Sequence, residues 1–234
     1  MGVIRPGSVP APSGSRIRVL VTDYGGVLTN PLAESYAALA VELGITVGEL
    51  IAARSAAGAR LGADPMALLE VGALTEAGFV DAVAGHLPPG ARARLGTDGF
   101  GPVWFRNRRP NQEMLDLLAT VRSAGHRIAL LTNNVREWGP LWRATLPTEL
   151  FELVVNSAEE GVRKPDPAIY RRTVDRLGVT PAECLFLDDV AENCATAEAF
   201  GMTAIRFVDT AQAVADVLGA LGPAPALRLL ERAS

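Results

Sequence analysis

Residues 17–26 read Ile17-Arg18-Val19-Leu20-Val21-Thr22-Asp23-Tyr24-Gly25-Gly26. A β-rich run that stops at an acidic residue and a glycine pair reads as a buried strand feeding a tight loop. After it the pattern is helical only, from Pro31 to about Gly96. Leu32, Tyr36, Leu39 and Leu43 fall on one face, and Ala/Leu-rich segments follow, broken by glycines and by Pro88-Pro89. Farther along, strands and helices alternate. Helices are expected over 110–125, 137–146, 167–178 and 211–221, with another ending at Phe200, and strands over 127–132, 153–155, 184–187 and 203–208. Strands separated by helices call for a parallel sheet with right-handed crossovers, so the all-helical stretch is an insertion after the first strand. The expected class is α/β: a three-layer, Rossmann-like parallel-sheet core over 16–29 and 102–222, an inserted all-helical unit over 30–101, and tails at 1–15 and 223–234.

The 234 residues carry a formal charge of −4, too small to specify a polyanionic partner, and their 49% hydrophobic and 21% charged content is that of an ordinary globular chain. No nucleic acid and no membrane is expected as a partner, since no window is uninterruptedly apolar over the length of a spanning helix. The Pro/Gly/Ser-rich start lacks the apolar run of a secretory signal, and Pro6 stands where a myristoylation signal needs Ser or Thr, so a cytoplasmic location is expected. Cys184 and Cys194 are too few and wrongly spaced for a disulfide scaffold or a zinc site and are expected as buried small apolar residues. Of the 22 basic residues, Lys164 is the one lysine.

In an open parallel sheet, ligands bind beyond the carboxyl ends of the strands. The first strand ends at Asp23, the second at Thr132 with Asn133-Asn134 behind it, and the fourth at Asp188-Asp189, while Lys164 lies in the loop after the third. A nucleophile-capable carboxylate, a hydroxyl with amide N–H groups, a cation and a carboxylate pair suit phosphoryl chemistry with a divalent metal.

Four segments resemble the motifs of the haloacid dehalogenase-like (HAD) superfamily, in the family's order: Asp23-Tyr24-Gly25-Gly26-Val27-Leu28-Thr29, Ala129-Leu130-Leu131-Thr132-Asn133, Arg163-Lys164-Pro165-Asp166-Pro167, and Leu185-Phe186-Leu187-Asp188-Asp189 with Asn193 following. The helical insertion resembles the cap of the group that includes the phosphatase domain of soluble epoxide hydrolases and the 2-haloacid dehalogenases. The resemblance implies Asp23 as a nucleophile forming an aspartyl phosphate. It implies Mg²⁺ held by the side chains of Asp23 and Asp189 and the carbonyl of Gly25, with Asp188 and Asn193 as support behind them. Thr132, the N–H of Asn133 and those of the Gly25-Gly26 turn would hold the phosphoryl oxygens, and Lys164 would sit between Asp23, Asp188 and a phosphoryl oxygen. The implied partner is a small phosphorylated metabolite. The plainer reading of Asp188-Asp189, that the pair caps the following helix, stands beside this one. Asp166-Pro167 is an ordinary helix start and carries no chemistry.

The family's phosphatases typically carry a second aspartate two residues after the nucleophile, as the acid and base. Here that residue is Gly25, so the phosphatase is expected to be slow or to use another group. Two alternatives follow from the same gap: a metal-independent 2-haloacid dehalogenase, against which the Asp188-Asp189 pair stands, and a catalytically impaired protein that binds a phosphorylated ligand or a partner. Outside the motifs, His86 is expected at the surface and His126 as structural. Arg106, Arg108 and Arg109 are expected as a solvated charged turn, with steering of an anionic substrate as the alternative. Trp138 and Trp142, at helical spacing, are expected to pack on the core, with a pocket mouth or a homodimer contact as alternatives.

Overall fold

The computed structural model describes residues 17–95 and 99–222; the expected tails lie outside the described residues. Strand β1, Val19–Thr22, is followed by the helices α1, Leu32–Leu43; α2, Val47–Leu61; α3, Pro65–Glu70; α4, Glu76–Ala84; α5, Pro89–Leu95; and α6, Phe100–Phe105. Then come α7, Gln112–Ser123; β2, Arg127–Thr132; α8, Gly139–Arg143; β3, Leu153–Asn156; and α9, Ser157–Glu160. The chain continues with α10, Pro167–Leu177; β4, Cys184–Asp188; α11, Ala191–Phe200; β5, Thr203–Arg206; and α12, Thr210–Leu221. The sheet is parallel throughout, in the order β3-β2-β1-β4-β5.

Alternation along the strands builds the layers, because successive side chains point to opposite faces. Val19, Val21, Ala129, Leu131 and Phe186 face one way and pack with Ile169, Tyr170 and Val174 of α10 and Ala197 of α11. Leu20, Ile128, Leu130, Leu185 and Leu187 face the other way, against Leu115, Leu118 and Val121 of α7 and Val217 and Leu221 of α12. This is the three-layer α/β core the sequence predicts. Local signals fix several helix ends: Thr46 and Glu49 close a capping box on α2, and Asp166 caps α10 with Pro167 in its first turn and Gly178 in the left-handed conformation after it.

Three expectations shift. The boundary expected at 101–102 falls inside α6, where Pro102 occupies the first turn and its missing N–H costs nothing. The helix expected over 137–146 shrinks to α8, which begins beyond Trp138 and ends before Ala144. The strand expected to reach Val208 stops at Arg206, because the Val208 amide turns to Gln212 Oε1 at 3.0 Å, ahead of α12. The single turn α9 is too short to show a periodicity. No single helix among the described residues is long and apolar enough to cross a membrane.

Candidate active site

β1 lies at the centre of the sheet between β2 and β4, so the ends of these three strands stand side by side. Asp23 follows β1 and donates its backbone N–H to the Leu187 carbonyl at 2.8 Å. One carboxylate oxygen from each of Asp23, Asp188 and Asp189 can be drawn into a set within 4.8 Å of one another. Three negative charges in so small a space need cations.

One is Lys164. Its side chain is 1% exposed, and its ammonium donates to Asp23 Oδ1 at 2.7 Å, Asp188 Oδ2 at 2.6 Å and the Leu131 carbonyl at 2.9 Å. Three acceptors satisfy all three ammonium hydrogens. Burial pulls the Lys164 pKa down, but Asp188 and Asp23 outweigh it and hold the group above its ordinary value, as a cation. Asn133 fixes the lysine from its backbone: its Oδ1 accepts from the Lys164 N–H at 2.8 Å and its Nδ2 donates to the Lys164 carbonyl at 3.0 Å.

The two aspartates of the pair divide cleanly. Asp188 is fully buried, and both its oxygens are committed: Oδ1 accepts from the Val190 N–H and Asn193 Nδ2, each at 2.9 Å, and Oδ2 from Lys164 and from Asn193 at 3.1 Å. With both oxygens engaged, it stands behind the cavity wall and not in it. The N-cap of α11 is Val190, with no side-chain capping bond, so the plain capping role of the pair is restricted to the Asp188–Val190 bond. Asp189 Oδ1, by contrast, is buried without a hydrogen-bond partner. Burial, then the charge of Asp188, raises the Asp189 pKa. Asp23 is pushed up to about 7, foremost by burial, with Asp188 and Asp189 adding to it and Lys164 opposing. An unpartnered buried carboxylate oxygen beside a second strained carboxylate fits a hard divalent cation with oxygen ligands.

The two glycines after Asp23 have different reasons. Gly26 has φ +83°, and a Cβ there would lie 2.5 Å from Asp189 Oδ2. The backbone and the Asp189 carboxylate both disfavour a side chain there. At Gly25 a Cβ would meet only Leu32 Cδ2, at 3.6 Å, an ordinary contact. The Gly26 N–H, expected to face a phosphoryl oxygen, is instead donated to Thr29 Oγ1 at 3.2 Å within the loop.

In front of Asp23 lies a cavity of about 220 Å³. Asp23, Gly25, Asn133, Lys164, Asp189 and Asn193 line it; Gly26, Thr132 and Asp188 do not. Tyr24 also lines it, with its hydroxyl turned to Thr145 Oγ1 at 2.9 Å. The wall outside the four motifs carries no signal in the sequence beyond the alternatives given for Arg108 and Trp138. Leu32, Tyr36, Met66, Glu70, Trp104 and Phe105 come from the helical insertion, and Arg108 from the segment returning to the core. Glu70 Oε2 stands 2.8 Å from Arg163 Nε, joining α3 to the loop that carries Lys164. A larger groove of about 960 Å³ between α1 and α2 shares only Tyr36 with this cavity and none of its carboxylates.

Of the three arginines expected in a solvated turn, Arg106 pairs with Glu42 and Arg109 with Glu34, but Arg108 is buried and lines the cavity. Trp138 and Trp142 pack into the core as expected, and Trp138 also reaches the cavity wall. Cys184 and Cys194 are buried free thiols, His86 is exposed and His126 buried.

The sequence model of the haloacid dehalogenase-like hydrolases matches residues 17–201. A sesquiterpene phosphatase of Aspergillus oryzae is 31% identical over 109 residues, 44% of this chain and 53% of that protein. Bifunctional epoxide hydrolase 2 of Sus scrofa is 33% identical over 115 residues, 47% of this chain and 21% of that protein. The matched segments thus span about half or less of these relatives. A HAD family enzyme of Bacteroides thetaiotaomicron, solved with magnesium and inorganic phosphate, has the same fold, with TM-score 0.57 and 22% identity over 81% of this chain and 93% of that one. Relatives and structural neighbours also include 2-haloacid dehalogenases.

Proposed function

The chain belongs to the haloacid dehalogenase-like hydrolase family, and from that premise we propose that it is a Mg²⁺-dependent phosphatase that hydrolyses a small phosphate monoester through a phosphorylated Asp23. The observation that carries this reading is Asp189 Oδ1, left buried and unpartnered beside the two carboxylates that Lys164 bridges. A divalent cation would complete that oxygen, and a metal-free dehalogenase has no use for it. Asp23, Asp189 and the Gly25 carbonyl would hold the ion, which, when bound, would offset the charge of the phosphoryl oxygens.

The chain's own groups do the rest. Lys164 holds one oxygen of Asp23, which fixes the carboxylate and leaves its other oxygen to attack phosphorus as the bond to the alcohol oxygen breaks. Water then cleaves the acyl phosphate and regenerates Asp23. Gly25 supplies no proton to the departing alcohol and no base to that water, which lowers both rates. The helical insertion would act as the cap, presenting Tyr36, Met66 and Trp104 to the leaving group, and a cavity of about 220 Å³ favours a small one.

The test is a panel of phosphate monoesters assayed with Mg²⁺ and with EDTA, in parallel with 2-haloacids. The reading requires Mg²⁺-dependent release of phosphate, lost in Asp23→Asn; halide release that survives EDTA would replace it with the dehalogenase.

A further inference from the structure

We propose that Arg108 receives the substrate's phosphoryl group, as a second cation beside Lys164. This deepens the phosphatase reading and rests on it. The three hydrogens of the Lys164 ammonium are engaged by Asp23, Asp188 and the Leu131 carbonyl, so most of its charge is already answered by carboxylates. Arg163, the other arginine in the cavity wall, is taken by Glu70.

Arg108 differs from both. It is 8% exposed, lines the cavity, and has no carboxylate within ion-pair distance among the described residues. Nη1 donates to Thr29 Oγ1 at 3.0 Å and to the Asn30 carbonyl at 3.1 Å, which ties the guanidinium to the loop that begins at Asp23. Nε is buried and has no acceptor. The guanidinium carbon lies 5.4 Å from the centroid of the Trp104 ring, a contact that holds its plane without neutralising its charge. A buried cation left unpaired is costly unless an anion arrives to complete it, and a guanidinium offers a planar fork that matches two phosphoryl oxygens. Thr29 Oγ1, which accepts from Arg108, also accepts from the Gly26 N–H three residues past Asp23, so the guanidinium is tied to the turn that carries the nucleophile. The anion it awaits is therefore the transferring phosphoryl group, not a second charge farther along the substrate.

The experiment measures binding of inorganic phosphate and of orthovanadate by calorimetry in saturating Mg²⁺, for wild type and for Arg108→Met, Arg108→Gln and Arg108→Lys, with melting curves for each. The expected result is a loss of about 10- to 100-fold in phosphate affinity for the Met and Gln variants, and partial recovery for Lys. The loss should appear at every substrate, with or without a second anionic group. Unchanged phosphate binding in variants that melt like wild type overturns the assignment, as does a loss confined to substrates with a second charge. The Gln variant keeps a donor to Thr29 and separates lost binding from lost folding. Binding is read without turnover: a protein that binds phosphate through Arg108 but hydrolyses nothing keeps this inference and loses the phosphatase, whereas a phosphatase indifferent to Arg108 does the reverse.

Discussion

The Lys164 ammonium stands 2.7 Å from Asp23 Oδ1, and these residues, 141 positions apart, form a buried ion pair at the centre of the site. Its third member, Asp188, is 2.6 Å from the same nitrogen. The ammonium is compact enough to fit among two carboxylates and a carbonyl; a guanidinium is wider and planar. Lys164→Arg should therefore overpack the site, at a cost of about 1–3 kcal/mol in stability and roughly 100-fold in turnover. A thermal melt with steady-state kinetics checks both, and wild-type values for either contradict the geometry described.

Removing the charge of the nucleophile should separate function from stability. The folded Asp23 pKa is near 7 and the unfolded one 3.8, so between those values the folded chain keeps a proton that the unfolded chain has released. Metal-free stability is then highest at the acid end of that window and falls as pH rises toward 7. Asp23→Asn should abolish turnover yet raise the melting temperature of the EDTA-treated protein at pH 8, by about 2–4 °C for each 1 kcal/mol recovered. A lower melting temperature at that pH would refute the strain assigned to Asp23.

The same proton competes with the metal. A protonated Asp23 cannot ligate Mg²⁺, so affinity should rise about tenfold per pH unit below the Asp23 pKa of about 7 and level off above it. Calorimetric titrations in buffers of different ionisation enthalpy should show close to one proton released per ion at pH 6 and almost none at pH 8.5. A pH-independent affinity would mean that Asp23 is not a ligand.

Gly25 and Gly26 should respond in opposite ways. At Gly25 the space is open and the backbone ordinary, so Gly25→Asp should fold and, by supplying the missing acid and base, speed hydrolysis of alkyl phosphates by up to about 100-fold. Aryl phosphates, whose leaving groups need less protonation, should gain less. Gly26→Ala forces a side chain into a positive-φ position and onto Asp189, and should weaken Mg²⁺ binding in the same calorimetric assay. Equal tolerance at the two positions would contradict the distinction.

The residues that carry chemistry on the core were readable from the chain because strand ends advertise them. A β-rich run followed by Asp23, or by Asp188-Asp189, puts a carboxylate where any parallel sheet opens, and three central strands bring such ends together whatever else the fold does. Lys164 stood out as the one lysine, in the loop after the third strand, and Asn193 came through the family resemblance. The wall supplied by the helical insertion was not readable. Glu70 ends a short, otherwise apolar helix, and its pairing with Arg163 depends on how two segments meet in space. Arg108 was hidden differently. Within Arg106-Asn107-Arg108-Arg109 the charges look equivalent, and only the availability of Glu42 and Glu34 for the outer two, and of Thr29 and Trp104 for the inner one, turns Arg108 inward. Gly26 misled in a smaller way, because the sequence does not reveal that Thr29 claims its N–H.

The most direct measurement is acid-quench mass spectrometry of the Mg²⁺-loaded protein mixed with an aryl phosphate. Because Gly25 leaves the attacking water without a base, a phosphorylated Asp23 peptide should accumulate within the first turnovers, vanish in EDTA and be absent from Asp23→Asn. Phosphate release from the wild type with no phosphoryl group on Asp23, or turnover that persists in Asp23→Asn, would contradict the central claim that this carboxylate is the nucleophile.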